Sequence, residues 1–211
     1  MAVKKAGVIV ILSSPSGAGK TTLVKKIALR NKYNISISHT TRKPRSNEKN
    51  GEDYFFINQK KFEKLIKDKM FLEHAKVFKN YYGSLKRTVF SKLEIGENVI
   101  FDIDWQGTKQ IINKKLKYKI ITIFILPPSK GELYKRLLRR DQKDKKIASE
   151  RMKQFKEDVM HWKEYDFAVI NDKIEKCYRQ IISYIKKKQK NKKVLNYNKK
   201  IINYHINKLI N

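Results

Sequence analysis

Five apolar residues, Val8-Ile9-Val10-Ile11-Leu12, run into Ser13-Ser14-Pro15-Ser16-Gly17-Ala18-Gly19-Lys20-Thr21-Thr22, after which Leu23, Ile27 and Ala28 recur at helical spacing. A continuous apolar run of this kind reads as a strand buried on both faces of a parallel sheet. The order is strand, glycine-containing loop, helix. The β- and γ-phosphates of a nucleotide need many donors converging on a small volume, and this arrangement supplies them. Gly17 and Gly19 let the backbone wrap closely with its N–H groups inward, and the helix adds its positive N-terminus. Lys20 is placed to reach the β/γ oxygens and the Thr21 hydroxyl to coordinate Mg²⁺. The phosphate-loop pattern opens with glycine, whereas here Ser14 holds that position. Serine is tolerated there if the turn does not require positive φ. Such a loop establishes phosphate binding but not the reaction, because GTPases, motor ATPases and small-molecule kinases share it.

Further apolar runs at Val99 to Ile103 and Ile120 to Leu126 each lead through a polar turn into a helical pattern, and Phe167 to Ile170 reads as a last strand. Alternation of strands and helices indicates an α/β fold, a P-loop-type parallel sheet flanked by helices. Residues 39–90 depart from it. They hold an Arg/Pro-rich loop (Thr40 to Arg45), an aromatic strand (Tyr54 to Ile57), a helical stretch (Gln59 to Lys69), a mixed segment (Phe71 to Phe78) and an expected turn, Asn80-Tyr81-Tyr82-Gly83-Ser84. This reads as a small inserted mixed α+β subdomain. A second insertion, 136–151, carries Lys143, Asp144, Lys145 and Lys146 in a row and reads as a mobile, solvated flap.

Composition removes other classes. The chain has 211 residues, of which 40% are apolar, enough for one domain that buries roughly 70% of its unfolded surface. One cysteine, Cys177, cannot form an internal disulfide and is expected to be a core thiol, and no Cys/His cluster has zinc-ligand spacing. No stretch is long and apolar enough for a signal peptide or a membrane span, so a soluble protein of a reducing compartment, the cytoplasm, is expected. The formal net charge of +30 comes from 41 Lys and 9 Arg against 20 acidic residues. The Lys is spread along the whole chain with much Asn and Ile, as A+T-rich codons produce, so no specific nucleic-acid partner is inferred from it. The last 26 residues, Lys186 to Asn211, contain nine Lys and no acidic residue. Leu195, Ile202, Ile206 and Leu209 line one face of a short helix there, expected to pack on its own protein or on a sister subunit rather than on a membrane. That leaves a homo-oligomer open.

Ser38-His39-Thr40-Thr41-Arg42-Lys43-Pro44-Arg45 sets two arginines three apart on a loop stiffened by Pro44. Two guanidinium groups so placed suit a dianionic monophosphate, each making paired N–H···O contacts. Downstream come Gly51-Glu52-Asp53-Tyr54-Phe55-Phe56, Glu73, Asn80-Tyr81-Tyr82-Gly83-Ser84, Ile100-Phe101-Asp102-Ile103-Asp104-Trp105-Gln106-Gly107 and Val169-Ile170-Asn171-Asp172. In order and spacing, from residue 7 to about residue 185, the chain resembles the guanylate kinases.

The resemblance implies transfer of the γ-phosphate of ATP to GMP (and dGMP), giving ADP and GDP, with Mg²⁺, as GMP is recycled toward GTP. On matching positions it implies that Ser14, Pro15, Ser16, Gly17, Ala18, Gly19, Lys20, Thr21 and Thr22 bind ATP, with Asn171 beside the adenine. Arg42, Arg45, Tyr54 and Tyr82 hold the GMP phosphate, and Ser38, Glu73, Ser84 and Asp104 surround the guanine. Arg136, Arg140 and Arg151 close over ATP and join Lys20 and Arg42 as catalytic residues, while Thr21 and Asp102 face the metal. The guanine assignment has its own chemistry: N1–H and N2–H₂ are donors that call for carboxylates, whereas adenine N1 is an acceptor and would meet Glu73 lone pair to lone pair. The implied division is a core of 1–38, 91–135 and 152–186, a GMP-binding subdomain 39–90, a helical lid 136–151 and a basic extension 187–211. Asn47 stands where the family usually has glycine, and asparagine tolerates left-handed backbone. The alternative is a catalytically inactive guanylate-kinase-like binding module, which predicts loss of Lys20, Thr21, Arg42, Glu73 and Asp104; all are present. His39, His74, His161 and His205 have no Ser or Cys partner at useful spacing and read as structural, and Trp105 and Trp162 as packing residues.

Overall fold

In the computed structural model, which describes residues 6–140, 144–192 and 199–210, β1 (Ile9–Ser13) is buried at every position. Val10 and Leu12 enter one core cluster and Ile9 and Ile11 another. At roughly 1.5–3 kcal/mol per buried aliphatic side chain, only a central strand satisfies both faces. Along the chain follow α1 (Lys20–Asn31), β2 (Asn34–Ile35), β3 (His39–Thr40), β4 (Phe55–Phe56), α2 (Gln59–Lys67), β5 (Phe71–Val77), β6 (Asn80–Leu85), α3 (Lys86–Glu94), β7 (Val99–Asp102), α4 (Trp105–Asn113), β8 (Ile120–Leu126), α5 (Lys130–Arg140), α6 (Lys145–Met160), β9 (Phe167–Ile170), α7 (Ile174–Gln189) and α8 (Lys199–Ile210). The main sheet is parallel throughout, in the order β2-β7-β1-β8-β9. Leu23, Val24 and Ile27 of α1 and Cys177, Ile181 and Ile185 of α7 cover one face. Val89 and Leu93 of α3 and Ile111 of α4 cover the other. The C-terminal ends of β1, β7 and β9 point into the loops that carry Lys20, Asp104 and Asn171, the edge at which open α/β sheets bind ligands.

The inserted segment builds a second, mixed sheet in the order β4-β3-β6-β5, with β3 parallel to β4 and β6 antiparallel to both β3 and β5. Here the expected turn at Asn80 to Ser84 is corrected, because these residues form β6, paired Ala75↔Tyr82 and Val77↔Asn80 with β5 and Thr40↔Tyr82 with β3. Asn and Gly carry the local signal of a turn, but pairing on both edges outweighs it. The actual turn is Phe78–Lys79, with Phe78 at φ 54 and no glycine to announce it.

In the charged insertion Asp144, Lys145 and Lys146 are exposed, while some of its apolar positions are buried. Leu133 and Leu137 of α5 share a buried cluster with Ala148 and Phe155 of α6, and Asp144 caps α6 by accepting from the Lys146 N–H at 2.8 Å. Arg136 and Arg151 are therefore mounted on helices. Arg140 is the last residue of α5; its side chain, Lys143 and Leu195 lie outside what is described.

The basic tail packs on its own protein. Ile202, Ile206 and Leu209 of α8 are buried against the same cluster as Phe124, Leu126 and Trp162, and the His205 ring bonds the Pro127 carbonyl at 2.8 Å. Among the described residues no helix is long and apolar enough to cross a membrane. Ile206→Ala is expected to cost about 3 kcal/mol and lower Tm by roughly 6–12 °C. Tyr204→Ala, at a position 62% exposed on the same helix, stays within about 1 kcal/mol of the parent. Thermal unfolding of the two variants checks this. Equal, small effects would mean that α8 does not seal the core. Cys177 is fully buried and burial pushes its thiol up to about 12, as befits an inert core cysteine.

Candidate active site

The phosphate loop turns through two left-handed glycines, Gly17 at φ 87 and Gly19 at φ 93. Gly19 is constrained twice, since a Cβ there would also lie 2.4 Å from the Asn171 amide nitrogen. It occupies the N-cap of α1, where no side chain caps the helix and no acidic residue sits in the first turn. The first N–H groups of α1 thus face the loop without an internal acceptor, an anion-binding end. Ser14 has no positive φ and donates its hydroxyl to the Pro15 carbonyl at 2.8 Å, so glycine is not required at that position.

Lys20 Nζ lies 2.9 Å from Asp102 Oδ1 and donates to the Ile103 carbonyl at 2.7 Å, which ties the loop to the end of β7. Thr21 is exposed in the first turn of α1. Around the loop, the Arg151 Nη1 donates to Ser16 Oγ at 2.7 Å, and Arg136 reaches the Ala18 carbonyl at 3.5 Å while its Nε bonds Glu132 at 2.8 Å. Asn171 is buried and its amide donates to the same Ala18 carbonyl at 2.8 Å, so it braces the loop backbone. Arg151 also lies 5.0 Å over the ring of Phe78, at the tip of the β5–β6 hairpin, and so touches both the loop and the inserted sheet.

The second sheet assembles the other group of residues. Its register sets Glu73 opposite Ser84, and Ser38 bonds Ser84 through their hydroxyls at 3.2 Å, both buried. Glu73 is 2% exposed, and its Oε1 has no hydrogen-bond partner among the described residues. Burial, with Asp104 nearby, raises its carboxyl to about 7, while bonds from Ser84 and the charge of Lys20 oppose the rise. A Cβ on Gly107 would stand 2.4 Å from Glu73 Oε2, so α4 approaches this carboxyl closely only because residue 107 is glycine. Asp104 carries a role the sequence reading missed: as the N-cap of α4 its Oδ1 accepts from the Gly107 N–H at 3.0 Å and its Oδ2 from the Gln106 amide at 3.1 Å. Asp-x-x-Gly at a helix start was the available signal.

Arg42 and Arg45 converge as their spacing implied, on a residue that reading passed over. Glu48 Oε1 accepts from Arg42 Nη2 at 2.8 Å and from Arg45 Nη1 at 2.9 Å. The only local hint was an acid three residues after Arg45. Tyr54 and Tyr82 meet edge to face at 5.9 Å, and the Arg42 guanidinium lies 5.4 Å from the Tyr54 ring. Asn47 has no positive φ, so the left-handed tolerance of asparagine is not called upon. Of the histidines, His39 stacks on Phe55 at 4.8 Å and His161 on Trp105 at 3.7 Å.

The structure therefore combines a glycine loop at a helix N-terminus with two arginines gathered on Glu48 and a buried carboxyl whose Oε1 has no partner among the described residues. A guanylate kinase family model matches residues 6–188 of the chain. The chain is 45% identical over 189 residues to a guanylate kinase of Blochmanniella floridana, covering 88% of this chain and 89% of that protein. It is 42% identical over 191 residues to one of Wolbachia pipientis wMel, covering 90% and 94%. Among solved structures, a guanylate kinase from Anaplasma phagocytophilum superposes with a TM-score of 0.70 at 31% identity, covering 89% of this chain and 88% of that one.

Proposed function

The chain belongs to the guanylate kinase family and transfers a phosphoryl group from ATP to GMP, and on that premise we propose how its own residues divide the work. The observation that carries the proposal is Glu73, a buried carboxyl with an open oxygen, set within the influence of Lys20 and Asp104. A guanine edge offers N1–H and N2–H₂ to that oxygen and to Asp104, with Ser38 and Ser84 completing the surround. Arg42, Arg45 and the hydroxyls of Tyr54 and Tyr82 hold the monophosphate. The loop 14–22 and the N-terminus of α1 hold the ATP phosphates, and Asn171 keeps the loop in shape beside the adenine.

The transfer is in-line. A GMP phosphate oxygen forms the new bond to the γ-phosphorus as the bond to the β,γ-bridging oxygen breaks, and ADP leaves with that electron pair. The attacking oxygen is already ionised, so no protein nucleophile or strong base is needed, and catalysis is positioning plus charge neutralisation. Lys20 exchanges Asp102 and the Ile103 carbonyl for phosphate oxygens. Arg136, Arg140 and Arg151 close over the transferred group from the lid, residues 136–151, and residues 39–90 form the GMP-binding subdomain. Exclusion of water by that closure keeps the phosphoryl group from hydrolysis.

The donors near the loop fit Mg²⁺. Thr21 Oγ1 and the Asp102 carboxylate are hard oxygens. Among the described residues no three His, Cys, Asp or Glu cluster as a metal cage. Mg²⁺ is ordinarily held by one or two protein oxygens with phosphates and water. When bound it supplies positive charge at the β- and γ-phosphates. A cytoplasmic location and acceptance of dGMP belong to the same proposal.

ADP formation from ATP and Mg²⁺ with GMP, dGMP, AMP, CMP and UMP in parallel tests the reading. Turnover is expected with GMP and dGMP alone, since a site built on buried hydrogen bonds rejects a mismatched analogue by roughly 10⁴–10⁵-fold. Turnover with AMP or a pyrimidine nucleotide would remove the roles given to Glu73 and Asp104.

A further inference from the structure

The loop between β3 and β4 is organised around one carboxylate. Glu48 Oε1 receives both guanidinium groups, at 2.8 Å from Arg42 and 2.9 Å from Arg45, while its Oε2 accepts from the backbone N–H of Arg45 at 2.8 Å. The Glu48 N–H in turn donates to the Arg45 carbonyl at 3.0 Å, closing the turn. These side chains are largely withdrawn from water, at 14% exposure for Arg42 and 15% for Glu48. The Arg42 plane is further held by the Lys43 carbonyl at 2.7 Å and by the rings of Tyr54 and Phe56, 5.4 and 5.8 Å away.

We propose that Glu48 is the positioning residue of the acceptor clamp: it holds Arg42 and Arg45 as one pre-assembled fork whose other N–H groups receive the GMP phosphate. The proposal rests on the reading of Arg42 and Arg45 as phosphate ligands. Two guanidinium groups brought together with no counter-charge repel each other and swing apart into solvent. A carboxylate shared between them removes that repulsion and fixes both planes before substrate arrives. Each arginine has five N–H donors in a rigid fork, so one edge can serve Glu48 while another serves a phosphate. Against the effect of burial, bonds from Arg45 and Arg42 hold the Glu48 carboxyl below the usual carboxylate range.

Positioning and simple attraction make opposite predictions for this residue. Glu48 is itself an anion close to where another anion binds, so by net charge alone its removal should tighten GMP binding. Positioning predicts the reverse. Glu48→Gln is expected to raise KM for GMP roughly tenfold through loss of pre-organisation, with kcat changed less and KM for ATP within about twofold. Guanosine, which shares the base but has no phosphate, is expected to inhibit parent and variant equally. Glu48→Asp keeps the charge on a shorter arm and is expected to fall between the two; it carries the same comparison if Glu48→Gln does not fold. Unchanged or tighter GMP binding would overturn the proposal, and so would equal losses for GMP and guanosine, which would mean general damage to the inserted sheet. A parent enzyme that does not turn over GMP at all would instead remove the underlying reading of the two arginines.

Discussion

Lys20→Met lowers turnover by roughly 10³-fold while the Kd for GMP stays within about threefold of the parent. The lysine sits at the foot of α1, and its Nζ is already within 2.9 Å of Asp102 and 2.7 Å of the Ile103 carbonyl. Both contacts are made to the end of β7, not to the acceptor sheet, so removing the ammonium leaves the Arg42–Glu48–Arg45 fork and the Ser38–Ser84 pair in place. What is lost is a positive charge beside the phosphates in a partly desolvated pocket, where it is worth more in the transition state than in the ground state. Methionine retains much of the apolar stem, and Asp102, which loses this ion pair, is 17% exposed and able to take up water. Single-turnover rates with saturating ATP and GMP, set beside calorimetric binding of GMP alone, separate the two effects. Equal losses in rate and GMP affinity would mean that Lys20 acts by holding the two sites together.

Glu73→Gln raises KM for GMP by roughly 10³-fold and at the same time makes the empty protein more heat-stable above about pH 7. Glu73 is buried and carries an unpartnered oxygen, and its carboxyl is raised to about 7 by burial and by Asp104. An acid raised in the folded state binds its proton more tightly there than in the unfolded chain. The stability linked to that proton is present at low pH and is lost as pH rises from about 4.5 to about 7. The empty enzyme therefore pays for a buried carboxylate at pH 8, and glutamine removes that cost. Binding runs the other way. Guanine N1–H and N2–H₂ require the ionised acceptor, so KM for GMP in the parent rises as pH falls below about 7, approaching roughly tenfold per unit. The amide of the introduced glutamine cannot accept from both donors on the same footing, so the variant binds weakly at every pH and its KM loses that slope. Thermal midpoints at pH 5 and pH 8, with KM for GMP across pH 5.5–8, test both halves. A variant less stable than the parent at pH 8, or a parent KM flat in pH, would contradict the burial argument.

Much of the architecture was legible because single segments carry it. Val8 to Leu12 read as a strand enclosed on both sides, and Gly17 and Gly19 as a loop with backbone N–H groups turned inward. The helices after each parallel strand announced themselves by spacing, and the apolar face of Ile202, Ile206 and Leu209 announced a packed tail. Segments whose state depends on their neighbours were not legible. Asn80 to Ser84 carries turn residues and became a strand because β5 and β3 flank it. The run from Arg136 to Arg151 looked solvated because charged residues dominate it, yet Leu133 and Leu137 of α5 share one buried cluster with Ala148 and Phe155 of α6.

The same division holds at the site. The residue types and their order along the chain carried by themselves the expectation of a phosphate loop and of two arginines suited to a second anion, and the resemblance they support implied carboxylates for a guanine edge. Those are chemical identities, and covalent spacing is enough to express them. Only the tertiary structure decided which oxygen of Glu73 is left open, that Gly107 lets α4 approach it, that Asp104 also caps that helix, and that Glu48 binds both arginines. These depend on hydrogen bonds and burial between elements far apart in the chain, including an approach so close that a Cβ on Gly107 would stand 2.4 Å from Glu73 Oε2, which no spacing rule contains. A carboxylate in water and a carboxylate enclosed between a sheet and a helix are the same letter in the sequence. Their proton affinity and their power to select a base are set by what the fold removes from around them.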